Sequence, residues 1–140
     1  MATFNKFYVF SENLAEKVHN LQSDTLKVML TNTLPVATNQ VKADITEIAA
    51  GSNYTAGGNT LTVSSSAQTS GVYKLVIADS TFTSSGTIGP FRYAVIYNDT
   101  PTSPLKPLIG WYDYGSSVTL ASGETFTVDF DPTNGMLQLS

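Results

Sequence analysis

The stretches FRYAVIYN (91–98) and PLIGWYDY (107–114) decide the fold, because both are rich in the β-branched and aromatic residues typical of strands. The segment between them, DTPTSPLK (99–106), contains two prolines and can neither continue a strand nor form a helix. The two strands are therefore predicted to pair as an antiparallel hairpin at the centre of the fold.

The register of this hairpin can be predicted from its side chains, since a slip of one residue would exchange the two faces. Placing Arg92 opposite Asp113 sets aromatic residues against aromatic residues and large side chains against small ones. The predicted partners are Phe91–Tyr114, Arg92–Asp113, Tyr93–Tyr112, Ala94–Trp111, Val95–Gly110, Ile96–Ile109 and Tyr97–Leu108. Asp113 is interpreted as an ion-pair partner that fixes the register, not as a catalytic group.

Both faces of the predicted hairpin are apolar, as expected for strands that are covered on both sides. One face would carry Tyr93, Val95, Tyr97 and Tyr112, and the other Ala94, Ile96, Ile109 and Trp111. One face must lie on the core. The other needs a cover, either from a helix or loop of the same chain or from another subunit, and the sequence leaves both alternatives open.

The rest of the chain predicts one domain, 1–140, with a helix at its start. Apolar residues at three- and four-residue steps predict a helix over about 5–20, or over 11–20 if Ser11 is its cap. His19 lies off the apolar stripe and is predicted to be exposed. Strand patterns follow over 25–31, 60–66, 72–79, 81–90 and 136–140, and 117–130 is predicted to form a second hairpin. Roughly eight short strands within 25–139 predict a jelly-roll-like antiparallel β-sandwich.

Composition limits the classes of function. The chain has 140 residues, a net charge of −4, only 13% charged residues and 11% aromatic residues. Its seven basic residues are scattered, which disfavours nucleic-acid binding. The absence of cysteine excludes disulfides and thiolate metal sites. The start, MATFNKFYVF, lacks a signal-peptide pattern and no later run is long enough to span a membrane, so synthesis in a cytoplasm and no membrane partner are expected.

No catalytic constellation is evident in the sequence. The single histidine has no neighbouring nucleophile pattern and the G-x-S-x-G motif is absent, so a non-enzymatic protein without cofactor is predicted. Asp129 and Asp131 form a D-x-D pair that is more simply interpreted as solvent-facing than as a cation site. The aromatic residues of the hairpin favour burial or a subunit interface; a sugar-stacking platform centred on Trp111 is the alternative.

Three parts of the chain carry a resemblance to known proteins. They are GVYKLVIADSTFTSSGTIGPFRYAVIYNDT (71–100), PLIGWYDYGSSVTLASGETFTVDFDPTNGMLQL (107–139), and FNKF (4–7) with LAEKVHNL (14–21) and SDTLKVMLTNT (23–33) near the start. They resemble a family of small structural proteins from tailed-bacteriophage virions. The resemblance covers nearly the whole chain. Its motifs are structural, so it implies a fold and a virion context and carries over no catalytic or metal residue.

The resemblance implies a head decoration, or cement, protein that binds the major capsid protein on the outer capsid surface after synthesis in the bacterial cytoplasm. A homotrimer on local threefold axes is the expected assembly. A tail, baseplate or fibre component is the alternative within the virion, and a carbohydrate-binding module or adhesin is the alternative from another class. The residues predicted to contact partner chains are Phe4, Phe7, Tyr8, Phe10, Tyr93, Tyr97 and Tyr112.

Overall fold

A computed structural model describes residues 2–140 and confirms a mainly β, antiparallel fold, with 46% of the residues in strands and 8% in helical conformation. The strands are β1 (Asn5–Lys6), β2 (Leu26–Thr31), β3 (Asn59–Thr60), β4 (Val63–Thr69), β5 (Val72–Ile77), β6 (Ser80–Thr83), β7 (Ile88–Asn98), β8 (Leu108–Leu120), β9 (Thr125–Val128) and β10 (Leu137–Leu139). Helix α1 spans Tyr8–Ala15, and a 3-10 turn spans Lys42–Asp44.

The second half of the chain is a long antiparallel ribbon folded about the proline-rich connection 99–107. Strand β7 pairs with β8, β6 pairs with β9, and β5 pairs with β10, so the three pairs are nested. Nested pairing of this kind underlies a jelly-roll-like arrangement. The predicted hairpin over 117–130 is wrong, because its first half is the end of β8 and its second half, β9, pairs with β6 instead.

The strands form two layers around one main core. One layer is a five-stranded sheet in the order β1-β8-β7-β2-β3, and the other consists of the sheets β10-β5-β4 and β6-β9. All three sheets contribute to the core, whose most buried large side chains are Leu26, Leu30, Leu75, Ile77, Ile88, Phe91, Ile96 and Phe130. This arrangement is sandwich-like, as predicted.

The register of the β7–β8 hairpin differs by one residue from the prediction between Ile96 and Tyr93, and Phe91 pairs with Val118 instead of the predicted Tyr114 after a further shift. Tyr97 faces Leu108 as predicted, but the next pair is Ile96 with Gly110, which leaves Ile109 as an extra residue in β8. Beyond this bulge the observed pairs are Val95–Trp111, Ala94–Tyr112 and Tyr93–Asp113. A β-bulge adds one residue to one strand and therefore displaces all later pairs, which side-chain matching alone does not detect.

The displaced register exchanges Trp111 and Tyr112 between the two faces of the hairpin. Tyr112 now packs on the main core beside Ala94, whereas Trp111 packs on a second apolar cluster on the opposite face. That cluster contains Phe7, Met29, Val95, Tyr97 and Leu108, with Val9 and Ile45 packed against it. The second face of the hairpin is therefore covered by the N-terminal segment and by the loop that contains Ile45, both from the same chain.

The N-terminal helix is shorter than predicted. It begins after Phe7 and not at Ser11, and it ends in a Schellman arrangement around Lys17, which has a φ of 69°. In this motif the Val18 N–H donates to the Asn13 carbonyl at 2.8 Å, and the Lys17 N–H donates to the Leu14 carbonyl at 3.3 Å. The chain therefore leaves the helix two residues before His19, which turns inward and is buried, against the prediction that it is exposed.

Gly110 allows the N-terminal segment to pair closely with the edge of β8. Lys6 pairs with Gly110, the Phe7 N–H donates to the Ile109 carbonyl at 3.1 Å, and a Cβ on Gly110 would lie 2.7 Å from the Asn5 carbonyl oxygen.

Gly110→Ala is therefore expected to displace β1 without unfolding the sandwich. Amide hydrogen exchange checks this: protection of Phe7 should fall at least about tenfold while that of Leu30 is retained. Equal loss at both amides would contradict it.

Candidate interaction surface

Four exposed apolar side chains lie along one loop between β2 and the 3-10 turn and on the segments that flank it. Their exposed fractions are 68% for Tyr8, 61% for Leu34, 54% for Val36 and 58% for Leu105. The Tyr8 N–H donates to the Ala37 carbonyl at 2.9 Å, which places Tyr8 beside the loop. Leu105 lines a shallow depression of about 330 Å³ together with residues 41–43, at the other end of the loop. We call Tyr8, Leu34, Val36 and Leu105 the loop surface.

The loop that carries this surface is held by hydrogen bonds at both ends. The Asn39 side chain accepts from the Val36 N–H at 2.8 Å, and the Asp44 carboxylate accepts from the N–H groups of Gln40 and Val41 at 2.9 and 3.1 Å. The Gln40 carbonyl in turn accepts from the Leu108 N–H at 3.0 Å, which ties the loop to β8. The apolar side chains are thus presented on a fixed backbone, which lowers the entropy lost when a partner binds.

Two lysines beside the loop surface are paired within the chain, whereas Glu12, which lines a depression with Tyr8, forms no salt bridge among the described residues. Lys42 forms a salt bridge with Glu47 at 3.0 Å, and Lys106 forms one with Asp99. The hydrogen bond from Lys106 holds the pKa of Asp99 below its ordinary value. Exposed apolar side chains beside lysines that are already paired are typical of a protein–protein contact, because those lysines need not be desolvated without a partner on binding.

Most of the residues predicted to contact a partner are occupied by packing within the chain. Phe7 and Tyr97 lie in the second apolar cluster, Phe10 lies in the main core, and Tyr93 is also buried. Phe4 and Tyr112 are partly buried and pack edge-to-face at 5.6 Å. Of the seven predicted residues, Tyr8 is exposed, Phe4 and Tyr112 are partly exposed, and the other four are buried. Contact of these residues with a partner chain stays a prediction, and Tyr8 is the one whose side chain is most open to it.

The sequence analysis missed Leu34, Val36 and Leu105. Each of them adjoins a proline in a connection that is neither strand nor helix, in Leu34-Pro35-Val36 and Pro104-Leu105. Large apolar residues next to a proline, outside any predicted strand or helix, could have indicated exposed positions, because no buried face of a strand or helix accounts for their apolar character.

The hairpin aromatics do not form a sugar-stacking platform. Trp111 packs on Phe7 with ring centroids 4.6 Å apart, and Tyr112 packs edge-to-face on Phe130 at 5.8 Å. Tyr114 is the exposed aromatic of β8, and it lines an apolar cavity of about 170 Å³ with Phe126 and Arg92. The two faces of the hairpin thus separate the rings that a flat platform would need on one side.

The acidic residues weighed for chemistry are engaged in local structure. Arg92 donates to both carboxylate oxygens of Asp113, at 2.8 and 3.1 Å, and this bonding lowers the pKa of Asp113. Asp131 accepts from the N–H groups of Thr133 and Asn134, each at 2.8 Å, which lowers its pKa and closes a turn. Within residues 2–140, no three His, Asp or Glu side chains lie close enough together to hold a metal ion.

His19 belongs to a buried polar group between α1 and the end of β7. The Asn98 amide nitrogen donates to Asp24 at 2.7 Å and lies 3.0 Å from His19 Nδ1, while Asn98 Oδ1 accepts from the Thr100 N–H at 3.1 Å. These bonds fix the amide orientation, so His19 Nδ1 is an acceptor and Nε2 carries the proton. A proton on Nδ1 would place an N–H of His19 against the N–H of the Asn98 amide, which is unfavourable. Burial lowers the pKa of His19 to about 4.

Stability is expected to fall in mild acid because His19 must be neutral in the folded protein. The folded pKa of about 4 lies below the ordinary value of 6.5, so this contribution is complete above pH 6.5 and is lost as the pH falls towards 4. About 2 kcal/mol should be lost between pH 6.5 and 5. Chemical denaturation of the wild type and of His19→Gln at both pH values measures it: the variant should lack this pH-dependent difference, and an equal slope in both proteins would contradict the assignment.

No helix within residues 2–140 has the length and apolar character needed to cross a membrane. No protein-family model matches the chain, and comparison with curated proteins and with solved structures likewise found no match.

Proposed function

We propose that this protein is a structural component of a tailed-bacteriophage virion, and that it acts as a decoration, or cement, protein bound to the major capsid protein on the outer surface of the head. The observation that carries the proposal is the loop surface, where four large apolar side chains are exposed on a hydrogen-bonded loop and on the segments beside it, next to two lysines that are paired within the chain. The resemblance of residues 71–100 and 107–139 to virion structural proteins supports the same role. On this proposal the protein performs no chemical reaction.

A decoration protein has to bind across the contacts between capsid subunits. This requires an exposed apolar surface on a protein that stays soluble before assembly. Each standard protein interface buries about 1,200–2,000 Å² in total. The loop surface supplies apolar anchors for such a contact, and the low fraction of charged residues, 13%, limits the desolvation cost over the remaining area. Binding as a homotrimer would multiply a weak single contact by avidity.

Counting the protein in purified particles of the phage that encodes it tests the role. A decoration protein should be present in hundreds of copies, in fixed ratio to the major capsid protein, and should label the outer surface in a particle reconstruction. A handful of copies would favour the tail or baseplate alternative. Absence from the particle would overturn the proposal.

Variants of the loop surface test which residues dock. Tyr8→Ser combined with Leu34→Ser is expected to weaken binding to undecorated particles at least about tenfold, because two apolar anchors are removed. The thermal midpoint of the unbound protein should change little, since both side chains are exposed. Leu139→Ser, another exposed apolar position, is the matched control and should bind as the wild type does. Equal weakening by the control would contradict the assignment of this surface.

A further inference from the structure

The sequence contains a single Asn-Gly pair, Asn134-Gly135, in the turn that leads into β10. An asparagine that precedes glycine is especially prone to spontaneous deamidation, because glycine has no side chain to hinder its backbone nitrogen from attacking the asparagine side-chain carbon. Asn134 is exposed, and Gly135 is half-buried with a φ of 79°. The Asn134 side chain is therefore open to the solvent water that this reaction consumes.

The turn holds both reacting groups of this pair in hydrogen bonds to one residue, Asp131. The Gly135 N–H donates to the Asp131 carbonyl at 3.1 Å, and Asn134 Nδ2 donates to the Asp131 carboxylate at 2.9 Å. The backbone N–H groups of Thr133 and Asn134 also donate to that carboxylate, each at 2.8 Å. Attack requires that the Gly135 nitrogen lose its proton and that the Asn134 side-chain carbon reach it. The hydrogen bonds of the closed turn oppose both changes.

We propose that Asn134 is a deamidation site, and that Asp131 keeps it intact as long as the turn is closed. When the turn opens, the Gly135 nitrogen loses its proton to solvent base and attacks the Asn134 side-chain carbon. The side-chain nitrogen takes a proton from solvent and leaves as ammonia. Water then opens the resulting five-membered imide at either of its two carbonyls. One opening gives aspartate on the original backbone, and the other gives isoaspartate, in which the backbone runs through the side-chain carbon.

Either product would weaken the attachment of β10 to β5. Aspartate would place a carboxylate where Asn134 Nδ2 now donates to Asp131, so two negative charges would meet. Isoaspartate would add one methylene to the backbone directly before Gly135, where a Cβ would already lie 2.7 Å from the Leu75 carbonyl oxygen. That oxygen accepts from the Met136 N–H at 2.7 Å, next to the first pair of β10 with β5. Deamidation is thus a one-way step that loosens β10, and it involves no residue of the loop surface.

Incubation of the full chain at mildly alkaline pH, followed by mass spectrometry of its proteolytic peptides, tests the proposal. The readout is the mass gain when the side-chain NH₂ is replaced by OH, with isoaspartate identified by enzymatic methylation of its carboxylate. Asn134 in the wild type should react at least about tenfold more slowly than in a synthetic peptide of residues 129–137, because the turn must open first. Asp131→Ala should accelerate the reaction at least about tenfold, since charge-assisted hydrogen bonds are lost. Asp129→Ala, which removes an exposed carboxylate nearby, is the matched control and should react as the wild type does.

Amide hydrogen exchange separates this protection from a general loosening, because the Gly135 N–H must be freed for exchange as well as for attack. In Asp131→Ala, protection of Gly135 should fall by about the factor that the reaction gains, while protection of Leu30 is retained. Three results would overturn the proposal: a wild type that reacts as fast as the peptide, equal rates in Asp131→Ala and the wild type, or the same acceleration in Asp129→Ala. In the deamidated protein, protection of Met136 should be lost, and its full retention would contradict the loosening of β10.

Discussion

Gly58→Ala is expected to destabilise the protein by about 3 kcal/mol or more, through strain and a backbone clash together. Gly58 has a φ of 80°, and a Cβ at this position would lie 1.9 Å from the Val28 carbonyl oxygen and 2.7 Å from the Val28 carbonyl carbon. These are backbone atoms of β2, so no side-chain rotation can relieve the contact. The neighbouring pairs Val28–Asn59 and Lys27–Thr60, which join β3 to β2, would have to separate.

The matched control for this substitution is Gly71→Ala in the β4–β5 turn. Gly71 has a similar φ of 84°, but no atom lies within 4 Å of the Cβ position, so the variant isolates the cost of the left-handed backbone, about 1–2 kcal/mol. Thermal unfolding of both variants measures the difference. Gly58→Ala should lower the midpoint by about 10 °C or more, and Gly71→Ala by about 3–7 °C. Similar midpoints for the two variants would show that β3 moves away from β2 at little cost.

Glu47→Ala is expected to cost about 3 kcal/mol, because one carboxylate holds three donors from separate parts of the chain. Its oxygens accept from Lys42 Nζ at 3.0 Å, from the Tyr54 hydroxyl at 2.7 Å and from the Gly57 N–H at 2.6 Å. Burial raises the pKa of Tyr54 above its ordinary value, so this hydroxyl remains a donor at every accessible pH. Without Glu47, both the hydroxyl and the Gly57 N–H would be left unpaired in a mostly dry site.

Urea unfolding of three variants separates this network from a general effect of removing a carboxylate. Glu47→Gln keeps an acceptor oxygen and should lose roughly half as much stability as Glu47→Ala. Glu16→Ala removes an exposed glutamate that makes no side-chain hydrogen bond within the described residues, and should change the free energy of unfolding by less than about 0.5 kcal/mol. The network would have to be abandoned as a source of stability if Glu47→Ala and Glu16→Ala behaved alike.

Both variants probe the region that sequence reasoning described least well. Residues 32–58 form loops with one 3-10 turn, and they include Glu47 and Gly58, whose importance comes from distant partners. The Tyr97 hydroxyl donates to the Gly57 carbonyl at 2.6 Å across 40 positions of sequence, which no local pattern encodes. The loop surface has the same origin, because Tyr8 meets Ala37 only after the chain has folded.

Local sequence patterns predicted strands correctly where both faces of the strand are buried, because such strands need apolar residues on both faces. Alternating or clustered apolar residues predicted β2, β5, β7 and the start of β8, and the prolines of 99–107 correctly predicted the interruption between β7 and β8. The pairing of Arg92 with Asp113 was also predicted, and the ion pair forms even though the two residues are not directly opposite, since long side chains reach a diagonal neighbour.

The sequence by itself determined the mainly β class, the central hairpin and the apolar character of both its faces, because strand propensity and alternation are properties of neighbouring residues. Only the tertiary structure decided the bulge at Ile109, the pairing of β9 with β6, the burial of His19 and which apolar side chains remain exposed on the loop surface. Each of these depends on contacts between residues that are distant in sequence, where one inserted residue or one tight turn redirects all the side chains that follow it.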